Sequence, residues 1–249
     1  MSALTRLASP ALDGVAHAFL GRTGGVSEGL FNSLNVGLGS GDDPAAVAEN
    51  RARAARALGR PDALATVRQV HSARAVIVAR PMADEERPQA DALVTRVPGL
   101  ALGVLTADCA PVLLADRNAR VVAAAHAGWK GAVGGVIEAA VATMEELGAE
   151  RHRIHAAIGP TIAQPTYEVG AEFDGRVPAR FLASGSAADR RQFDLEGFVA
   201  HRLLEAGVTH VDRLRTDTYA DPERWFSFRR ATHAGEPDYG RQIALIMLR

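Results

Sequence analysis

The stretch ADCAPVLLADRNARVVAAAHAGWKG, residues 107–131, decides how this chain is built. Two apolar runs, APVLLAD (110–116) and ARVVAAAH (119–126), flank a short polar break. That is the pattern of two buried strands joined by a tight turn. With the turn at Arg117–Asn118, a loop of two or of four residues gives one and the same register. Leu113 then faces Val122, Pro111 faces Ala124 and Cys109 faces His126. Directly opposed side chains have Cβ atoms about 4.5–5.5 Å apart, so a thiol and an imidazole meet on one face of the hairpin. A three-residue loop would slip the register by one and part them.

Outward from the hairpin, further strands are predicted at VAHAFL (15–20), ATVRQVHSARAVIVA (65–79), DALVT (91–95), LALGVLTA (100–107), RIHAAIG (153–159), HVDRLRT (210–216) and QIALIMLR (242–249). Helices are predicted in three places. In residues 41–60, Asp42 or Asp43 caps, Pro44 suits the first turn and Gly59 ends the helix. The second lies in residues 132–150 and stops near Gly148; the third runs over 194–208, from Asp194 to Gly207. Strands outnumber helices and adjoin through short turns, which predicts an α+β fold of mixed or antiparallel sheets with helices outside. The charged segment PMADEERPQ (81–89) reads as a surface loop within a single domain spanning residues 1–249.

Composition narrows the function. The chain has 249 residues, with 28 Lys+Arg against 29 Asp+Glu, so no basic excess advertises nucleic acid. No apolar run is long enough to span a bilayer, and the N-terminal stretch lacks the apolar core of a signal peptide. One cysteine excludes an intrachain disulfide and any zinc module built on several cysteines. A cytoplasmic compartment is expected, where that thiol stays reduced.

Alone, Cys109 reads as a small buried hydrophobe and His126 as a satisfied core histidine; their predicted opposition argues against both readings. His71, in VRQVHSARAV beside Gln69 and Arg68, is by spacing an ordinary strand histidine. Joined to the other two it completes a set of two imidazoles and one thiolate with an open fourth position, as in catalytic rather than structural zinc.

Several stretches together resemble one family. They are GRTGGVSEGLFNSLNVGLGSGDDPAAVAENR (21–51), RQVHSARAV (68–76), DALVT, TADCAPVLLAD (106–116), AAAHAGWKG (123–131), IGPTIAQPTYEVG (158–170), FSFRR (226–230) and GRQIALIML (240–248). The family is that of the laccase-domain proteins, first called multicopper polyphenol oxidases and later described as zinc-dependent purine nucleoside enzymes. The resemblance runs nearly end to end. It implies two packed mixed sheets flanked by helices, and a metal held by His71, Cys109 and His126. It also implies phosphorolysis of adenosine, inosine, guanosine and methylthioadenosine, with deamination of adenosine as a further activity. Two family cysteines are replaced by Thr161 and Thr166, so neither is essential to any activity of this chain. The segment ATHAGEPDY (231–239) is longer than the family's usual turn and is expected to reshape one pocket wall.

Zinc is the expected metal, with copper the competitor on affinity. Eight scattered histidines and one cysteine do not suit a full multicopper set. Arg22, Arg51, Gln69 and Arg229 are candidates for binding phosphate or sugar, and Trp129 and Tyr167 for stacking on a purine. Cys109 itself, Asp108, Asp91 and Glu168 are the catalytic candidates, the three acids for proton transfer or for orienting a ligand. The expected partners are purine nucleosides and phosphate, with the chain a monomer or homodimer. Three other readings keep the same residues: a metal-free cysteine hydrolase using Cys109 and His126, a copper-dependent phenol oxidase, and a non-enzymatic protein with a structural metal.

Overall fold

In the computed structural model, which describes residues 3–60 and 62–249, the predicted hairpin is the centre of a six-stranded mixed sheet. Its order is β13 (His210–Arg213), β9 (His155–Ile158), β7 (Ala110–Asp116), β8 (Val121–Ala127), β5 (Ala92–Thr95) and β4 (Ala75–Ile77). Every residue of β7 and β8 is buried. Both faces of this sheet are covered, which is why these strands read as continuous apolar runs without polar alternation.

One face packs on a five-stranded mixed sheet of β1 (Arg6–Leu7), β2 (Ala16–Leu20), β14 (Gln242–Met247), β6 (Ala101–Thr106) and β3 (Leu64–Ala65). Phe19, Leu93, Leu102, Leu113, Val122 and Ile246 fill the space between. The other face carries α2 (Trp129–Gly134), α3 (Val136–Glu146) and α4 (Leu195–Glu205), with Ile137, Met144, Phe198 and Leu203 packed against Val112, Leu114 and Ala123. Helix α1 (Pro44–Arg56) covers the outer face of the five-stranded sheet through Ala54. Thus the expected α+β class, with two packed mixed sheets and helices outside, is what forms. Among the described residues, no helix is long and apolar enough to cross a membrane.

The hairpin departs from its expected register. Asp116 pairs with Val121, Leu113 with Ala124 and Pro111 with His126. The turn is a four-residue loop in which the Asp116 carboxylate accepts from the Asn118 and Ala119 N–H groups and Arg120 takes φ 53°. This side-chain-capped turn displaces the pairing by two residues. Cys109 falls in the bend just before β7 and pairs with no residue of β8, so its place beside His126 is set by that bend and not by strand register.

Other elements also differ. The predicted strand over 65–79 is two short strands in different sheets, with residues 66–74 crossing between them. The predicted second helix breaks at Gly135, which takes φ 101°. A third, three-stranded sheet forms from β10 (Glu168–Gly170), β12 (Arg190–Phe193) and β11 (Leu182–Ser184), whose short polar segments carry no apolar alternation to read. Helix α5 (Phe228–Ala234), capped by Ser227 on the Arg230 N–H, takes in the start of the 231–239 segment that was expected to be longer than a turn.

Gly159, just past β9, has room for no side chain: a Cβ there would overlap the Phe19 ring in the layer between the sheets. Gly159→Ala is expected to destabilise the protein by about 1–3 kcal/mol through overpacking. A urea titration measures it.

Candidate metal centre

Residues 66–74 run as a loop, and His71 stands in it with φ 59°. On the other side Asp108, at φ 86°, turns the chain from β6 into β7 and presents Cys109. Four described non-glycine residues take positive φ, and two of them flank this point. Such conformations are uphill for ordinary residues and persist only where the surroundings enforce them. The potential ligand atoms of His71, Cys109 and His126 all lie within 4.8 Å of one another, and no other such group of three occurs among the described residues. Cys109 Sγ is 3.8 Å from His71 Nε2, and the two imidazole rings meet edge to face at 4.8 Å.

Asp91 joins the two sides. Its carboxylate, fully buried, accepts from the Val70, His71 and Ser72 N–H groups, from Ser72 Oγ, and from His126 Nδ1 at 2.8 Å. One side chain therefore holds the His71 loop and orients the His126 ring so that Nε2 is left for another partner. Burial works to raise the Asp91 pKa, but the bonds from His126 and Ser72 outweigh it and hold it at about 2. As an acceptor from His126, Asp91 fits the second of its two expected roles, that of orienting a ligand.

Burial would push the Cys109 thiol up as well. The His126 charge, with hydrogen bonds from His126 and His71, overrides it and lowers the thiol to about 6. His126 moves the opposite way: burial disfavours its charge, but the neighbouring thiolate and Asp91 raise it to about 9. The cluster thus prepares a thiolate, the form in which cysteine binds metals. Its fit to a divalent ion rests on this donor set and on the empty space at Gly128. A Cβ on Gly128 would stand 2.7 Å from His71 Cδ2 and 2.9 Å from Cys109 Sγ. Gly128 has an ordinary φ of −70°, so room for the ligands is the reason for glycine. Gly128→Ala is expected to weaken metal retention about tenfold by displacing the donors, within the range for groups that support metal ligands. Competition against a chromogenic chelator measures it.

Two cavities meet at the cluster and share His71, Ala107 and Cys109 as walls. The larger, about 520 Å³, includes Gln69, Arg68, Arg87, Tyr239 and Arg241. The smaller, about 290 Å³, includes Asp108, Trp129, Lys130, Tyr167, Phe228 and Arg229. So Gln69, Trp129, Tyr167, Asp108 and Arg229 stand beside the cluster. Gln69 spends its amide on both backbone groups of Leu105, fixing the His71 loop to β6. Asp108 accepts from Thr218 Oγ1, Ser227 Oγ and the Arg229 N–H. Burial raises its pKa against these donors. Through them it anchors the start of α5, and hence Phe228 and Arg229.

Three expected site residues are elsewhere. Arg22 bonds the Asn32 and Pro222 carbonyls and lies over the Phe226 ring. Arg51 is spent on Val36 O and Thr66 Oγ1, and burial together with Arg87 lowers it to about 10. The Glu168 carboxylate accepts from the Ser186 N–H, and only its carbonyl serves the site, by holding Arg229 Nη1. None of the three forms a wall of either cavity. In all three the reason is competition: main-chain groups that need partners are nearer than the cluster. Arg87 and Arg241 were not anticipated, whereas Tyr239 ends the 231–239 segment expected to reshape a pocket wall and stands in the wall of the larger cavity. Arg87 sits in the charged loop read as surface, whose charge density was the available signal.

The family described as multi-copper polyphenol oxidoreductase laccase matches residues 16–249. The chain is 44% identical over 241 residues to a purine nucleoside phosphorylase of Deinococcus radiodurans, covering 94% of this chain and 89% of that one. It is 48% identical over 229 residues to purine nucleoside phosphorylase SCO2081 of Streptomyces coelicolor, covering 90% and 93%. Among solved structures, YlmD of Geobacillus stearothermophilus superposes with a TM-score of 0.89 at 28% identity, covering 100% of this chain and 97% of that one. Neisseria meningitidis NMB0706 superposes with a TM-score of 0.87 at 33% identity, covering 99% of each.

Proposed function

We infer the reaction from the premise that this chain belongs to the multi-copper polyphenol oxidoreductase laccase family, and we propose that it is a zinc-dependent purine nucleoside phosphorylase. Adenosine, inosine, guanosine and methylthioadenosine are the proposed substrates, with adenosine deamination as a second activity. The relatives named purine nucleoside phosphorylase support the reaction class. The observation that carries it is the cluster of His71, Cys109 and His126, open to two cavities large enough for a nucleoside and an anion.

In phosphorolysis a phosphate oxygen forms a bond to the sugar C1′ as the bond from C1′ to the base nitrogen breaks. The electron pair leaves with the base, and the proton carried by monohydrogen phosphate ends on that nitrogen. The products are the free base and the sugar 1-phosphate, which is ribose 1-phosphate for adenosine, inosine and guanosine and its 5-methylthio derivative for methylthioadenosine. His71, Cys109 and His126 would hold the zinc, which when bound supplies positive charge beside the reacting groups. Asp91 keeps both histidines in place. Asp108 positions α5, so that Phe228 and Arg229 face the smaller cavity. Trp129 and Tyr167 offer aromatic faces there.

The family description would also suit phenol oxidation. The other six histidines argue against a multicopper set. His17 bonds the Ser9 N–H, His155 stacks on His210, and none joins a group of three potential ligands among the described residues.

The test is metal analysis of the purified protein beside an adenosine assay with and without phosphate. Stoichiometric zinc with phosphate-dependent ribose 1-phosphate is the expected result, together with inosine formation that needs no phosphate. Stoichiometric copper with oxygen consumption on phenols, and no ribose 1-phosphate, would overturn it.

A further inference from the structure

The two cavities at the cluster differ in chemistry. The larger has three arginines in its walls, Arg68, Arg87 and Arg241, against one acid, Asp84. Arg68 makes no side-chain hydrogen bond or ion pair among the described residues, and it is exposed and stands in the wall of this cavity. Arg87 pairs with Asp84 and bonds Val67 O, yet its Nε is buried with no acceptor. A buried arginine N–H beside a cavity is a donor that an anion's oxygen can satisfy. Arg241 bonds the Asp238 carboxylate and Tyr239 O through Nη1, and its Cζ stands over the Tyr239 ring, 3.9 Å from the centroid. Stacking fixes the plane of the guanidinium and leaves its other nitrogens available, an arrangement suited to an oxyanion.

The smaller cavity offers Trp129, Tyr167 and Phe228, with Ile162 and Leu195. Its arginine, Arg229, donates Nη1 to the Glu168 carbonyl and lies over Tyr167 at 5.5 Å, and the Asp108 carboxylate stands in the same wall. Lys130 is 5.7 Å from the Trp129 ring centre. Flat aromatic walls suit a purine, and three guanidinium groups suit a phosphate dianion.

Resting on the phosphorolytic reading, we propose that Arg68, Arg87 and Arg241 form the phosphate subsite, with the purine seated against Trp129, Tyr167 and Phe228 across the cluster. The sugar then spans the junction, its C1′ between attacking oxygen and departing base. The phosphoryl group of the ribose 1-phosphate product stays in the arginine cavity.

Steady-state kinetics of the metal-loaded enzyme test the division. Arg68→Gln and Arg241→Lys are each expected to raise KM for phosphate about tenfold, the loss typical of a charge-assisted hydrogen bond. KM for inosine and zinc content should stay within about twofold of wild type. Phe228→Ala should do the reverse, raising KM for inosine and leaving that for phosphate. An unchanged phosphate KM in both arginine variants, or a rise for inosine instead, would overturn the proposal.

Calorimetric titration of the wild-type protein with inorganic phosphate separates this proposal from the reading beneath it. Phosphate binding that Arg68→Gln weakens, without any ribose 1-phosphate formed, would support the anion subsite and remove the phosphorylase. A nucleoside 5′-monophosphate as second titrant distinguishes the source of the anion. Variants that lose its binding but keep their phosphate KM would assign the arginines to a nucleotide and overturn the subsite.

Discussion

Cys109→Ala is expected to give a folded protein that holds no stoichiometric metal and, on the proposed function, turns over nucleosides at least about a thousandfold more slowly, since one of the three proposed ligands is lost. The thiol is half-buried and small, so its removal should cost about 1 kcal/mol of stability. A circular dichroism melt then shows the fold retained while elemental analysis shows the metal gone. The thiol also sits beside an imidazolium, as a catalytic nucleophile would. The wild-type protein stripped by a chelator separates the two roles. If the metal is essential, the stripped enzyme is as inactive as the variant and zinc restores it. Full activity after stripping, with loss on thiol alkylation, would place Cys109 as a nucleophile instead. A Cys109→Ala protein that kept its metal would remove the three-ligand site altogether.

Asp91→Asn should lower metal affinity about tenfold to a hundredfold, the usual cost of removing the partner that orients a metal-binding histidine. The substituted amide has one oxygen for a carboxylate that accepts from three N–H groups, a hydroxyl and an imidazole. Its NH2 would also face donors, so a loss of about 1–3 kcal/mol of stability is expected besides. The pH dependence gives an independent reading. In the folded protein Asp91 is held at about 2, below the ordinary 3.8. A depressed carboxyl stabilises the fold at pH values above its unfolded pKa, and that contribution fades as pH falls through the folded one. Metal-free wild type should therefore lose stability between about pH 4 and pH 2, and Asp91→Asn should lack that part of the loss. Matching acid profiles for the two proteins would show that Asp91 carries no such linkage.

Much of this molecule was readable without coordinates. Continuous apolar runs marked β7 and β8 as strands buried on both faces, and Asp43, Pro44 and Asp194 marked helix starts that form as expected. The pattern also predicted that Cys109 and His126 meet, and they do, but through the bend at Asp108 that presents Cys109 just outside β7 and not through the expected pairing. The third partner was different. By pattern His71 belonged to a strand, but it stands in a loop with positive φ, held by a carboxylate twenty residues further along the chain. Asp91 was visible as an acid and invisible as an acceptor, since five donors from two separate segments define its state.

The same division holds for the rest of the site. Patterns with a short period, which depend on neighbours in the chain, determined the class of fold, the hairpin and the helix caps from sequence alone. Tertiary structure alone decided which arginines reach the cavity at the cluster. Arg22 and Arg51 looked suited to an anion but line neither cavity, while Arg68, Arg87 and Arg241 stand in the wall of one, the last two also ion-paired to Asp84 and Asp238. A guanidinium bonds whichever acceptors the packed chain brings within reach, and that distance is set by the meeting of sheets and loops.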